Sequence, residues 1–202
     1  MNGEYATVSP ANDSAHAPLM DRLWYLTEEA CQRAEQAAHD LDQRHDDYLE
    51  VEHERRVSRD RFRTLAERVR ATGAPYGAHT LAYRAGGDLL LVRHEGVDMW
   101  VLPGGQQEGE ESFREAAERE LAEEAGVEAR YDGLGLLTRV QIRHADHELW
   151  GVMPVFAAEA TGEPSVADPD DEISEAQWFS DLPADTRDRD DLLAWRERRF
   201  SE

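Results

Sequence analysis

The chain has 202 residues, with 44 acidic side chains against 22 basic ones and a formal net charge of −22. That length holds one ordinary domain with an appendage, or two small domains. The charge argues against long nucleic acid and anionic membrane surfaces as principal partners, because both are met with cations. Cys31 is the single cysteine, so no intramolecular disulfide can form, and a reduced cytoplasmic setting fits best. Residues 1–18 lack the basic start and apolar run of a signal peptide, and no stretch of ~18 apolar residues occurs anywhere.

Residues 1–18 mix Ser, Asn, Asp, Pro and Gly without periodicity and read as a disordered leader. From Leu19 the apolar positions fall at Leu19, Leu23, Leu26, Ala30, Ala34, Ala37 and Leu41, the spacing of one helical face. The pattern dissolves into charge over 46–56. A second helical stripe follows with Phe62, Leu65, Ala66 and Val69 and ends near Gly73 and Pro75. Residues 19–74 are therefore expected to be a helical arm. Beyond Pro75, the stretches 78–84 and 88–94 are short β-rich runs around Gly86-Gly87, a hairpin signal. Residues 99–102 form a third run, closed by Pro103-Gly104-Gly105, and 112–125 is a Glu- and Ala-rich helix candidate. Strands are expected again at 133–142, 148–157 and 176–179, and a closing helix at 190–199. This alternation predicts a mixed α/β layered domain over 75–185, with 186–202 packed on it.

The segment from Gly105 to Val127 carries the chemistry. On a helical wheel at ~100° per residue, Glu120 and Glu124 fall among Phe113, Ala116 and Ala117, and Glu123 lies to one side. Carboxylates on an apolar face must be paired, protonated or bound to a cation. Hard divalent ions take oxygen ligands and share their coordination sphere with phosphates, so this face suits phosphate chemistry. Wheel geometry alone leaves an ordinary solvated Glu-rich helix open.

The spacing is far more specific. From Gly105, five residues lead to Glu111, seven more to Arg119-Glu120-Leu121, and Ala122 is followed by Glu123-Glu124 and Ala125-Gly126-Val127. This 23-residue stretch resembles the complete Nudix box, with every specified position filled. Trp100 to Gly104 resembles the strand and turn leading into the box, and Trp178-Phe179 with Leu182-Pro183 the later strand and exit. One departure is that the glycine usual just before Glu111 stands one residue earlier, as Gly109, which affects the turn and not the chemistry.

The resemblance implies a Nudix-type α/β/α sandwich with a mixed sheet and a divalent-metal-dependent hydrolase. Such an enzyme cleaves a pyrophosphate bond in a nucleoside diphosphate linked to another moiety, such as ADP-ribose, a nucleotide sugar or a nucleoside triphosphate. It further implies Glu120, Glu123 and Glu124 as ligands of Mg²⁺ or Mn²⁺, with Glu111 as an outer contact. Arg119 would orient Glu120, Gly105 and Gly126 would serve backbone turns, and Gly104 would belong to the entry loop. Water attacks phosphorus in such chemistry. Glu172, six residues before Trp178, is the favoured additional carboxylate or general base; Glu175 and plain solvation of the acidic run are the alternatives. For the rest of the substrate, Ile142 and His144 stand where ADP-ribose and dinucleoside polyphosphate subgroups place Pro and Tyr. Trp150 and Tyr131 offer stacking faces or simple packing. Arg93, Arg139 and Arg143 could grip phosphates, and His144 and His147 could contact substrate.

A nucleotide-binding sensor or regulatory module without turnover is the other functional reading, and loss of a box glutamate would mark it. None is lost. The stripe from Leu19 to Leu41 is expected to pack on the catalytic domain or to pair with a second copy in a homodimer. The complete absence of Lys and the acid-rich composition resemble proteins of extreme halophiles, with an Arg-preferring genome as the alternative.

Overall fold

The structure is a computed structural model that describes residues 19–167 and 172–201, with side chains from Leu23 onward. The expected leader lies outside the described residues.

The chain opens with α1 (Leu19–Arg44), β1 (Leu49–Arg56) and α2 (Arg59–Thr72). Strands β2 (Ala78–Tyr83), β3 (Leu89–His94), β4 (Met99–Val101) and β5 (Gly104–Gly105) follow, then α3 (Phe113–Ala125). Two long strands, β6 (Ala129–His144) and β7 (His147–Ala160), precede β8 (Ile173–Phe179) and α4 (Arg189–Phe200). The sheet runs β1-β6-β7-β2-β3-β4, with β5 beside β2 and β8 beside β3. Strands β1/β6 and β7/β2 are parallel and the other pairs antiparallel, so the sheet is mixed. Helices flank it on both sides.

Alternation along β2 shows how the layers form. Thr80 donates from Oγ1 to the Ala117 carbonyl of α3 at 3.0 Å, and Ala82 packs with Leu121. Leu81 and Tyr83, on the opposite face, pack with Leu192 and Trp195 of α4. A period-two strand thus holds the box helix on one side and the closing helix on the other.

The Leu19 side chain lies outside the described residues; from Leu23 onward the stripe expected on α1 is found, and the chain itself covers it. Ala30 and Ala34 are fully buried against Phe62, Leu65, Ala66 and Val69 of α2, while Ala37, Ala38 and Leu41 pack with Leu137, Val152 and Phe156. Helix α2 starts at the Ser58 cap and stops at Gly73, whose φ of +93° ends it in the left-handed region. Trp24 and Tyr25 remain 51% and 60% exposed.

One element departs from the sequence reading. The charged stretch expected to interrupt a wholly helical arm is strand β1, paired in parallel with β6 from Leu49↔Leu136 to Arg56↔Arg143. Its inward positions are Leu49, Val51, His53 and Arg55, and its outward ones Glu50, Glu52, Glu54 and Arg56. The period of two is present, but half of the inward set is charged or titratable, so hydropathy alone hides it. Those polar positions are satisfied at α4: His53 Nε2 lies 2.7 Å from Asp191 Oδ2, and Arg55 Nη2 donates to Asp188 Oδ1 at 2.9 Å.

Candidate active site

The site is built on both ends of α3. At its start Ser112 accepts from the Glu115 N–H, and Glu115 accepts from the Ser112 N–H at 2.8 Å, a reciprocal cap. At its end Gly126 takes φ +62°, and a Cβ there would lie 2.4 Å from the Ser165 carbonyl oxygen. Ala116, Ala117, Leu121 and Ala125 face the core, which turns the glutamates along the helix toward the loop that precedes it.

That loop is pinned by close backbone packing. A Cβ on Gly77 would fall 1.7 Å from the Gly105 carbonyl oxygen, so only glycine allows β2 to approach β5 here. Gly105 in turn lies against the carboxylate of Glu120, where a Cβ would come within 2.3 Å of Oε1. The Gly104 N–H donates to Glu124 Oε2 at 2.9 Å. Two of the implied metal ligands therefore touch the two glycines of the entry strand.

Arg119 is the hub of the cluster. Its Nη1 donates to Glu120 Oε1 and Glu123 Oε2, both at 3.0 Å, and its Nε donates to Glu111 Oε1 at 3.0 Å. Its Nη2 donates to the Gln106 carbonyl at 2.9 Å and to Glu111 Oε2 at 3.2 Å. The guanidinium is held well above its ordinary pKa, first by the hydrogen bond to Glu111. Burial raises the Glu120 pKa against the lowering pull of Arg119, while Glu111 is lowered by Arg119 and by the Glu108 N–H. Glu111, Glu120 and Glu123, joined by Glu124 through Gly104, set four carboxylates against one guanidinium. Such a hard-oxygen set with unbalanced negative charge suits a divalent cation of the Mg²⁺ or Mn²⁺ type.

Among the described residues, His53, Asp188 and Asp191 also bring potential ligand atoms within 4.8 Å of one another. With Asp191 hydrogen-bonded to His53 and Asp188 ion-paired to Arg55, that group is a satisfied polar bridge between β1 and α4.

The remaining candidate residues have other partners. Glu172 meets the end of β3: its carbonyl accepts from the Glu95 N–H at 2.9 Å, and its carboxylate is 3.7 Å from His94 Nε2. Glu175 pairs in register with Arg93. Arg93 is engaged by Asp98 and Asp185, with its guanidinium 6.0 Å from the Trp100 ring centre. Arg139 stacks on Trp150 at 4.6 Å, and Trp150 is half-buried among apolar side chains of α1, α2 and α3. Tyr131 lies under the Arg114 guanidinium, its hydroxyl 2.7 Å from Thr80 Oγ1 and its pKa pushed up to about 12 by burial. Arg143, His144 and His147 sit at the β6–β7 turn, where His144 Nδ1 lies 3.0 Å from the Val57 carbonyl oxygen. The Gln106 carbonyl and the Gly104 N–H, both part of the cluster, carry no sequence signal because any residue supplies them.

His79 was also not singled out by sequence. It pairs with Gly104 in register, and burial presses its imidazole from 6.5 to about 4, with Arg187 pushing the same way and Asp188 opposing. The unfolded chain then takes up a proton that the folded chain refuses. Stability from this group is intact above about 6.5 and is lost as pH falls from there to about 4. Urea unfolding across that window is expected to show a shallower loss for His79→Asn; equal slopes would assign the loss to carboxylates alone.

Residues 74–196 match the model of the NUDIX domain family. A putative 8-oxo-dGTP diphosphatase of Bacillus subtilis (strain 168) is 33% identical over 87 residues, covering 43% of this chain and 58% of that protein. The match thus spans less than two thirds of this curated relative. Among solved structures, a MutT NUDIX hydrolase from Burkholderia pseudomallei is 28% identical with a TM-score of 0.43, covering 60% of this chain and 94% of that one. A NUDIX-family hydrolase from Clostridium perfringens is 20% identical with a TM-score of 0.46, covering 59% and 92%.

Proposed function

Because the chain belongs to the NUDIX family, we propose that it is a Mg²⁺- or Mn²⁺-dependent hydrolase cleaving a pyrophosphate bond in a nucleotide derivative. The observation that carries this reading is the carboxylate cluster: Glu111, Glu120 and Glu123 bonded to Arg119, and Glu124 bonded to the Gly104 N–H. The relative from Bacillus subtilis, a putative 8-oxo-dGTP diphosphatase, supports a nucleoside triphosphate within that substrate class.

When bound, such an ion supplies neutralisation of phosphate oxygens and lowers the pKa of water that attacks phosphorus. Glu120, Glu123 and Glu124 would hold it. Arg119 fixes the Glu120 and Glu123 carboxylates by charge-assisted hydrogen bonds. Gly104 fixes Glu124, and Glu111 braces Arg119. Glu172 serves as the additional carboxylate that accepts the proton of the attacking water. Arg93, Arg139 and Trp150 are assigned to substrate through their charge and aromatic faces, Arg93 by exchanging Asp98 and Asp185 for phosphate.

The Lys-free acidic composition and unpaired Cys31 support activity in a reduced, high-salt cytoplasm. A homodimer through α1 would use Trp24 and Tyr25, the large apolar side chains of α1 exposed among the described residues. No helix among the described residues is long and apolar enough to cross a membrane.

The test is release of phosphate or pyrophosphate from nucleoside triphosphates, nucleotide sugars and ADP-ribose in molar salt with Mg²⁺ or Mn²⁺. Turnover of one class is expected, abolished by excess EDTA and restored by added ion. Binding of nucleotides without turnover of any panel member would replace the hydrolase with a sensor.

A further inference from the structure

Hydrogen-bonding groups left unsatisfied inside a protein cost about 1–3 kcal/mol each and call for an explanation. Among the described residues the side-chain atoms in this condition are His79 Nδ1, Gln107 Oε1, Thr186 Oγ1 and Arg143 Nε. Arg143 Nε has the Glu148 carboxylate 3.5 Å away at the β6–β7 turn. The other three belong to the box loop or to elements that adjoin it. Gln107 lies within the loop and spends its amide N–H on the Glu111 carbonyl at 2.7 Å.

His79 lies directly on the loop's first strand. A Cβ on Gly104 would come within 2.7 Å of its Cγ, and the N–H of that same Gly104 holds Glu124. On β2, His79 shares a face with Leu81 and Tyr83, the face covered by α4 and opposite to α3. Thr186 is 5% exposed and bridges to Trp100, whose N–H and carbonyl also bond Asp185 and Arg187. Arg187 and Asp188, next to Thr186, are the charges His79 feels. The entry to α4 therefore runs Thr186 along Trp100 of β4, which packs with Leu81 and Tyr83 on the face of β2 that also carries His79.

The chemistry of this corner differs from that of the carboxylate cluster. An imidazole and a hydroxyl are neutral groups able to donate or accept hydrogen bonds, and Trp100, bridged to Thr186 through its backbone, sets its indole edge-on to Phe179 with ring centres 4.8 Å apart. Neutral hydrogen bonding beside an aromatic ring suits the edge of a base or the hydroxyls of a sugar rather than a phosphate.

We propose that His79 and Thr186 are specificity residues that hydrogen-bond the nucleoside of the substrate on the α4 side of β2, while the box carboxylates serve its phosphates. This rests on the nucleotide reading of the site. It assigns discrimination among substrates to groups whose hydrogen-bonding capacity the free protein leaves unused, and a site built to bond a polar group rejects analogues lacking it more strongly than an apolar pocket can.

The experiment measures binding by calorimetry in the Glu120→Gln background, where turnover is suppressed. The probes are dATP, dGTP, dCTP, dTTP and inorganic tripolyphosphate, each with Mg²⁺ in molar salt. His79→Phe and Thr186→Val are each expected to weaken the tightest nucleotide about tenfold or more and to narrow the spread among the four. Tripolyphosphate affinity is expected to be unchanged, and His79→Asn, which keeps a polar atom near Nδ1, should recover most of the loss. Thr186→Val is nearly isosteric and keeps the test decisive should His79→Phe fail to fold. Equal weakening of nucleotide and tripolyphosphate would overturn the proposal, because His79 would then act through Gly104 and Glu124. Unchanged nucleotide binding, or binding of none of the four by the parent protein, would overturn it too. Selective weakening in a protein whose Glu120 form turns nothing over would sustain this proposal while ending the hydrolase reading.

Discussion

Glu120→Gln is expected to lower kcat by on the order of a thousandfold while the melting temperature stays equal to, or rises above, that of the unaltered protein. The two halves of that result have separate causes. With Glu120 as the proposed anionic ligand, its loss would weaken a cation whose contribution to transition-state charge stabilisation is several kcal/mol, and each ~1.4 kcal/mol is a factor of ten in rate. Stability behaves differently because the Glu120 side chain is only 16% exposed, packed on Gly105 and close enough to Glu123 and Glu108 for both to disfavour its charge. Gln keeps the volume and still accepts from Arg119 Nη1, but it removes one negative charge from a crowded group. A site that gains stability when its chemistry is removed is the signature of function held at the fold's expense. Steady-state kinetics on the substrate found in the panel, with thermal melting of the same preparations, decides it. Activity within tenfold of the unaltered protein would remove Glu120 from the ligand set, and a parallel fall of activity and melting temperature would make it a scaffold residue.

How far this site was legible in the sequence depends on which groups build it. Glu111, Arg119, Glu120, Glu123 and Glu124 stand at fixed spacings, and a helix with a capped start must present them together, so their gathering around Arg119 follows from local geometry. Gly104 and Gly105 signal a turn in the sequence, but their reach to Glu124 and Glu120 depends on β5 closing against β2, a tertiary fact. His79 and Thr186 carry no motif. They become notable only once burial removes their hydrogen-bond partners, and spacing along a chain cannot show that. The same limit hid β1, where His53 and Arg55 occupy inward positions because Asp191 and Asp188 await them more than 130 residues later. Helix α1 was legible because its stripe is apolar and periodic. The sequence alone allows either the domain or a second copy to cover that stripe, and the structure places it against α2 and the sheet.

That packing leads to the largest expected effect on stability, at Phe62. Its side chain is fully buried where α2 meets Ala30 and Ala34 of α1 and Val140, Ile142 and Leu149 of the long strands. Phe62→Ala empties a site walled by three elements of fixed length, which leaves little freedom to collapse, and a loss of about 3–5 kcal/mol is expected. For a chain of this size the melting temperature should fall by on the order of 10 °C. The shape of the transition carries more information than its midpoint. Because β1 lies between α1 and α2 in the chain and is hydrogen-bonded along its whole length to β6, the N-terminal helices cannot peel away without breaking the edge of the main sheet. One cooperative transition is therefore expected in both proteins, with kcat at permissive temperature unchanged, since Phe62 touches none of the box residues. Near-ultraviolet dichroism follows the packing of the aromatic side chains, and far-ultraviolet dichroism is dominated by the helices. Coincident curves would show the N-terminal segment to be an integral layer of the fold. A separate early loss of helical signal in Phe62→Ala would show instead that α1 and α2 melt as their own unit and that β1 is a clasp rather than a fixed edge.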